Sequence, residues 1–333
     1  MQLIDQNGDV RLGTFDEAVE VINHADYDLW TPMDRPAGWL RRRLGFNQFE
    51  FFGLLSDNMV VGAAISDVGY VSAAFAYLHN RESGESVVVA QKLPLGLGAR
   101  LVQTPESGLS EFVGFGLRIE MSALGNVRSL RVRSRRLTID ATLSEGQRPP
   151  LRLCAQAGEN GWSFTRKSAG HAITGTAKLR SGSPIALDGM RGIHDWSAGF
   201  MRRETFWSWA ACSTTHEDGT VIGLNLSSGV NETGFSENVI WLDDTRHLLP
   251  QVRFRYDRRA LDHPWQITDS AGRISLAFVP ALTAHSERIS ALIVASNFRQ
   301  IFGHYTGRIE LDSGKVVTLQ GAPGFAERHF ARW

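Results

Sequence analysis

Lysine is scarce in this chain: Lys92, Lys167, Lys178 and Lys315 are its only lysines, and arginine supplies the other basic residues. That bias alone assigns no function. Cysteine is scarcer still. Cys154 and Cys212 are too few for a disulfide framework, and both sit in strand-like runs, so they read as buried free thiols. Net charge is absent as well. Acidic and basic residues number 35 each, so no global field draws the protein to nucleic acid or to an anionic membrane. No apolar run approaches the ~20 residues that cross a bilayer, so no integral membrane segment is expected. The opening MQLIDQNGDVRLG lacks the charged-then-apolar layout of a signal peptide. A soluble, cytoplasmic protein is the expectation. The ten histidines form no His-x-x-x-His pair and the cysteines no Cys-x-x-Cys pair, so no metal site is expected. Gly-x-Gly-x-x-Gly and Gly-x-Ser-x-Gly are missing too, which weighs against dinucleotide and α/β-hydrolase folds. No cofactor is expected.

What the chain does contain is β-structure. At 333 residues it has room for two domains. Thr14-Phe15-Asp16-Glu17 forms a capping box, with Phe15, Ala18, Val19 and Ile22 at helical spacing, and predicts a short N-terminal helix ending near Asn23. Trp30–Asn47 reads as irregular, and its Arg41-Arg42-Arg43 run as a solvated face or an anion clamp. From Gln48 onward, short runs rich in aromatic and β-branched residues alternate with turn dipeptides. Ten strand candidates precede residue 188, among them Phe49–Ser56, Glu111–Met121, Trp162–Lys167 and His171–Leu179. About nine follow, including Phe206–Thr214, Val221–Ser227, Phe235–Leu242 and Glu327–Trp333. A single sheet of that size would be unusual. The fold class expected is all-β: two lipocalin-like antiparallel β-barrel domains, 1–180 and 185–333, joined near Ser181-Gly182-Ser183-Pro184. The second domain is expected to carry the central motif.

That motif is Asp188–Ser213, DGMRGIHDWSAGFMRRETFWSWAACS, a Gly-punctuated polar loop followed by an aromatic strand. Ionisable groups beside large apolar walls are the composition of a small-molecule site. Asp195 beside Trp196, partly desolvated, would have its charged form disfavoured, which makes it a candidate proton donor. A turn-forming aspartate is the competing reading. His194 is a candidate partner, although neighbours on an extended segment face opposite ways. Trp207 and Trp209 share one strand face and form either a ligand wall or ordinary core. Asn225, Glu237 and Asn238 are polar groups inside apolar strands, where they need partners. Glu237 could contact ligand or pair with Arg202 or Arg203. Sequential antiparallel strands lie side by side, with turns near Asp218-Gly219 and Asn231–Gly234. Asp195, Trp207, Asn225 and Glu237 are therefore expected to converge on one cavity lined by inward-facing residues.

The runs HDWSAGFMRRETFWSWA, GLNLSSGVNETGFSENVIWLDD and GFAERHFARW resemble the bacterial family catalogued as domain of unknown function 2804. More distantly, the chain is similar to the two-domain lipocalin-like group that includes carotenoid hydratases (hydroxyneurosporene synthases) and fungal cyclases. That resemblance implies a ligand pocket in or between two β-barrels. It also implies a carboxylic acid that protonates a double bond, with Asp195 at the matching position.

The functional expectation is a cofactor-independent enzyme that acts on a hydrophobic small molecule by hydration, isomerisation or cyclisation. Asp195 would be the acid, with His194 and Glu237 as polar helpers. Trp196, Arg203, Trp207, Trp209, Asn225 and Asn238 would bind substrate. A non-catalytic carrier of lipids or small hydrophobes would show the same features. A carbohydrate-active protein would need Asp195 and Glu237 to face each other across an open groove.

Overall fold

The computed structural model describes residues 1–230, 234–290 and 294–332. Asn231–Thr233 of the expected turn and Trp333 of the closing strand lie outside the described residues. Among those described, nearly everything is antiparallel β-structure in two curled, half-barrel sheets of fourteen and nine strands. A two-stranded ribbon pairs Trp30–Thr31 with Arg35–Pro36.

Each sheet closes over an apolar core of its own. Leu130 and Val132 point into the first core, as do Leu137, Ile139, Ala141 and Leu143 on the next strand. The alternate positions Arg131, Arg133 and Asp140 face water and pair across strands, Arg133 to Asp140 at 2.5 Å and Arg131 to Glu120 at 3.2 Å. This is the alternation that a strand with one wet face requires. The second core gathers Leu224, Leu226, Trp265, Phe278, Ile301 and Tyr305. A third apolar cluster joins the sheets, with Phe51, Tyr77 and Ile193 from one against Trp209, Phe302 and Phe325 from the other.

The strand Arg191–Phe200 departs from expectation. It is not a loop. It pairs with Phe46–Leu55 on one side and Trp162–Leu179 on the other, inside the first sheet. The chain passes to the second sheet only after Phe200, and Glu204–Thr215 then pairs with Val221–Ser228 and Val316–Arg332. The central motif is therefore divided between the sheets, and the change-over does not fall at Ser181–Pro184. Arg191–Phe200 is buried on both faces, which erases the alternation that marks a strand. Its glycines are close-approach positions: a Cβ at Gly199 would sit 2.1 Å from the Trp162 carbonyl oxygen.

The N-terminal helix is also corrected. Gly13–Thr14 pairs with Cys154 and Leu153, and Phe15–Asn23 runs without helix. Val19 and Ile22 are buried, and the backbone there bonds to Met1, Gln103 and Thr104. These tertiary partners replace the ones a helix would have supplied. The α-helix observed is Trp39–Gly45, inside the segment read as irregular. Two pairs of expected strands fuse into single long strands. In Trp162–Leu179 the join is a bulge at Gly170, whose φ of 86° is a left-handed conformation that glycine adopts freely. Glu111–Met121 instead splits at a turn into Gly108–Val113 and Leu117–Leu124.

Candidate functional site

A cavity of about 200 Å³ lies between the two sheets, on the face that each turns away from its own core. It belongs to neither barrel interior. Strand register explains its composition. Across the first sheet, Lys167, Asp195 and Phe51 are successive cross-strand neighbours. Across the second, Trp209, Glu327 and Gln300 form one such row, and Trp207, His329 and Phe298 the next. All of these residues line the cavity. Phe75, Ala64 and Ala73 add apolar wall from the first sheet, and His285 adds an imidazole from the second.

The charged groups are concentrated and paired. Lys167 Nζ donates to Asp195 Oδ2 at 2.5 Å and lies 3.4 Å from Glu237 Oε2. Burial works to lower the Lys167 pKa. Attraction to Asp195, then to Glu237, overrides it, so the pKa is raised and the ammonium stays charged. Ser197 Oγ lies 3.3 Å from Asp195 Oδ1. Asp195 thus meets Lys167 and Ser197 in this cavity, and not the Trp196 indole that the sequence set beside it.

Glu327 differs. Burial pushes its carboxyl up to about 7, and the nearby charge of Asp195 adds to that, against the opposing pull of Trp207, Gln300 and Lys167. Trp207 Nε1 donates to Oε1 at 2.8 Å, and Gln300 Nε2 to Oε2 at 3.1 Å. Gln300 is itself fixed by the Tyr77 hydroxyl at 2.5 Å, which reaches across from the other sheet. His329 and His285 are held neutral. Burial pushes His329 down to about 3, and burial followed by Lys92 and His79 pushes His285 down to about 4.

Of the residues singled out from sequence, Asp195, Glu237, Trp207 and Trp209 line this cavity. Asn225 stands one layer behind. It accepts from Trp209 Nε1 at 2.7 Å and donates to the Glu237 carbonyl at 2.8 Å, so it aims the indole and anchors the Glu237 turn. Asn238 bonds backbone at Ser227 and Pro250 and does not reach the cavity. Glu237 and Asn238 precede the strand Val239–Leu242 instead of lying within it. Arg203 is exposed and is not a lining residue.

His194 and Trp196 face away from Asp195, as alternation dictates. His194 contacts Glu50 at 3.0 Å, in a buried polar cluster where Arg128 and Arg166 both pair with Glu145. Burial holds the His194 pKa well below the ordinary value, with Arg128 and Arg166 adding to it. Trp196 packs on Phe164 in the core that seals the N-terminal segment to the first sheet. Neither residue is placed to touch a ligand in this cavity.

Sequence reasoning missed Lys167, Glu327, Gln300, His285 and His329. Lys167 had a usable signal: it is one of four lysines, and it sits inside the apolar run WSFTRKSAGHAI. Glu327 stands in GFAERHF beside hydrophobic neighbours, where a carboxylate demands a partner. Gln300 and the two histidines carry no comparable mark. Only the ladder brings them to Glu327.

Comparison with known proteins agrees with this architecture. No curated protein sequence matches the chain. CghA shares the fold at 11% identity, covering 86% of this chain and 88% of its own, with a TM-score of 0.54. The protein described as AttH (NE1406) from Nitrosomonas europaea does so at 13% identity, covering 86% and 92%, with a TM-score of 0.50. Kievitone hydratase from Nectria haematococca aligns at 12% identity over 89% and 92%, with a TM-score of 0.46. Over residues 1–333 the sequence matches the family described as Domain of unknown function (DUF2804), and the chain belongs to that family.

Proposed function

We propose that this DUF2804 protein is an enzyme that binds a hydrophobic small molecule between its two sheets and transfers protons to and from it. The observation that carries the reading is Glu327, a buried carboxyl pushed up to about 7 in a largely apolar cavity that also holds the Asp195–Lys167 pair. Two carboxyl groups in such unlike environments divide naturally into an acid and a base.

In this scheme Glu327 gives its proton to one carbon of a substrate double bond. The positive charge that develops on the other carbon is stabilised by the faces of Trp207 and Trp209. In a hydration, water adds to that carbon and its proton passes to Asp195. In an isomerisation, Asp195 removes a proton from an adjacent carbon instead. In a cyclisation, a second double bond of the substrate attacks the cation, and Asp195 then removes a proton from the carbon beside the new cation. Each route is redox-neutral. Lys167 and Glu237 keep Asp195 oriented. Hydration is the route favoured by the resemblance to the carotenoid hydratases, with the acid moved from Asp195 to Glu327. The carbohydrate reading loses its requirement, because Asp195 and Glu237 grip one ammonium and the cavity walls are mainly aromatic and aliphatic.

The test begins with solvent extraction of protein purified from its own host, to recover the bound compound. That compound and its unsaturated analogues are then incubated with the enzyme in D₂O. The wild type should place deuterium on carbon. Glu327→Gln should bind the same compound and lose at least ~10²-fold of the label incorporation, the scale of a general acid. Binding with no deuterium incorporation by the wild type would establish a carrier instead.

A further inference from the structure

Among the described residues eight large apolar side chains are more than half exposed, and all but Leu124 and Val279 gather on adjoining segments. Met33, Trp39, Leu40, Leu95, Leu97 and Phe115 are each more than half exposed, Trp39 at 78% and Phe115 at 88%. They lie on three segments that touch. The helix Trp39–Gly45 packs its last turn on the Asp67–Tyr70 turn, where a Cβ on Gly69 would meet the Leu44 carbonyl oxygen at 2.7 Å. Arg43 pairs with Asp67 at 3.8 Å, and both side chains close over Gly96. Leu95 N donates to the Tyr70 carbonyl, and Val113 N to the Gly98 carbonyl, each at 2.8 Å. The turn they share is also cavity rim, since Val68 and Val71 line the cavity.

Charge on these segments has one dominant sign. Segments 30–45, 94–100 and 113–118 carry Arg35, Arg41, Arg42, Arg43, Arg100 and Arg118 against Asp34; Arg43 is matched by Asp67 and Arg118 by Glu111 and Glu120, which leaves Arg35, Arg41, Arg42 and Arg100 as the excess. Arg35 and Arg41 are exposed and have no ion pair among the described residues. The neutrality of the whole chain hides this local excess.

We propose that this face docks on an anionic lipid bilayer, so that the rim at Val68 and Val71 takes up or delivers a hydrophobic ligand at the membrane surface. Tryptophan and aliphatic side chains interleaved with arginine suit the headgroup boundary, where rings and methylenes enter and guanidinium groups stay with phosphate. A second copy of this chain fits less well. A two-fold contact sets a patch against itself and would oppose like charges. The proposal extends the reading of a hydrophobic ligand, but its test contains no ligand, so either can fail without the other.

The experiment is flotation of the full chain with phosphatidylcholine vesicles, with and without phosphatidylglycerol. The wild type should float with the anionic vesicles, and less so as salt rises. Arg35→Gln with Arg41→Gln should lower partitioning roughly fivefold for each arginine removed. Trp39→Ser with Leu97→Ser should abolish flotation while the melting temperature holds, because both side chains are exposed. Leu124→Ser, equally exposed at the far end of its strand, should float as the wild type does. Absence of flotation with anionic vesicles, or undiminished flotation of the Trp39/Leu97 variant, overturns the proposal. A concentration-dependent dimer that Trp39→Ser disrupts, without flotation, overturns it in favour of a second copy.

Discussion

Lys167 holds two carboxylates in a nearly dry site, Asp195 at 2.5 Å and Glu237 at 3.4 Å. Lys167→Met would leave both without their cation, so urea denaturation should show a loss of about 3–5 kcal/mol. Glu327 makes a prediction of opposite character. Its folded carboxyl is raised from 4.5 to about 7, so the folded state binds a proton that the unfolded chain has released. Its contribution is complete below about pH 4.5 and is lost as pH rises through about 7. His171, His285 and His329, all lowered by burial, act oppositely, losing their contribution as pH falls below 6.5. Glu50, raised to about 7, acts with Glu327. The Glu327 share is therefore read as a difference. Relative to wild type, Glu327→Gln should gain stability between pH 4.5 and 7, by an amount on the order of 3 kcal/mol for a shift of this size. Parallel wild-type and variant curves in urea would contradict it. At this scale the sequence was half legible. Asp195, Glu237, Trp207 and Trp209 were identifiable as polar or aromatic groups in improbable company. The place of Glu327 beside Asp195, on which the proposed exchange of their roles rests, was not, because it depends on which residue lies across the ladder.

The strand Arg191–Phe200 shows why one element was misread. Its glycines look like loop punctuation, and its burial on both faces removes the period-two pattern. In the structure those glycines admit neighbouring backbone and side chains. Gly199→Ala should push against Trp162, and Gly192→Ala against Ile173 and Leu143. Each should cost roughly 1–3 kcal/mol of stability in thermal or urea unfolding. An alanine tolerated at Gly199 without loss would mean that the strand pairs less closely than described. Strands with one wet face, such as Val127–Ser134 and Leu137–Ser144, were legible almost to the residue, because alternation and turn residues both mark them. The helix at Thr14–Asn23 failed for a different reason. A capping box is a local preference of about 1 kcal/mol, and the burial of Val19 and Ile22 outweighs it.

At the scale of the whole molecule, the all-β class and two-sheet plan follow from strand count and spacing, but the place where the sheets meet does not. One strand can serve both layers: in Phe46–Leu55, Phe52 and Leu54 enter the first core while Phe51 and Leu55 enter the interface. The cavity is a property of that interface, and its walls come from positions as far apart as Asn47 and Ala331. No local pattern encodes such a contact. The proposed function requires a hydrophobic ligand between the sheets with its reacting atoms against Glu327. The most direct measurement is a crystal structure of the protein with the compound extracted from its host. Density flanked by Trp207, Trp209 and Phe75 is expected, with an unsaturated carbon in hydrogen-bond reach of the Glu327 carboxyl. Density inside either sheet's own core, or a ligand in the cavity with only saturated carbon facing Glu327, would contradict it.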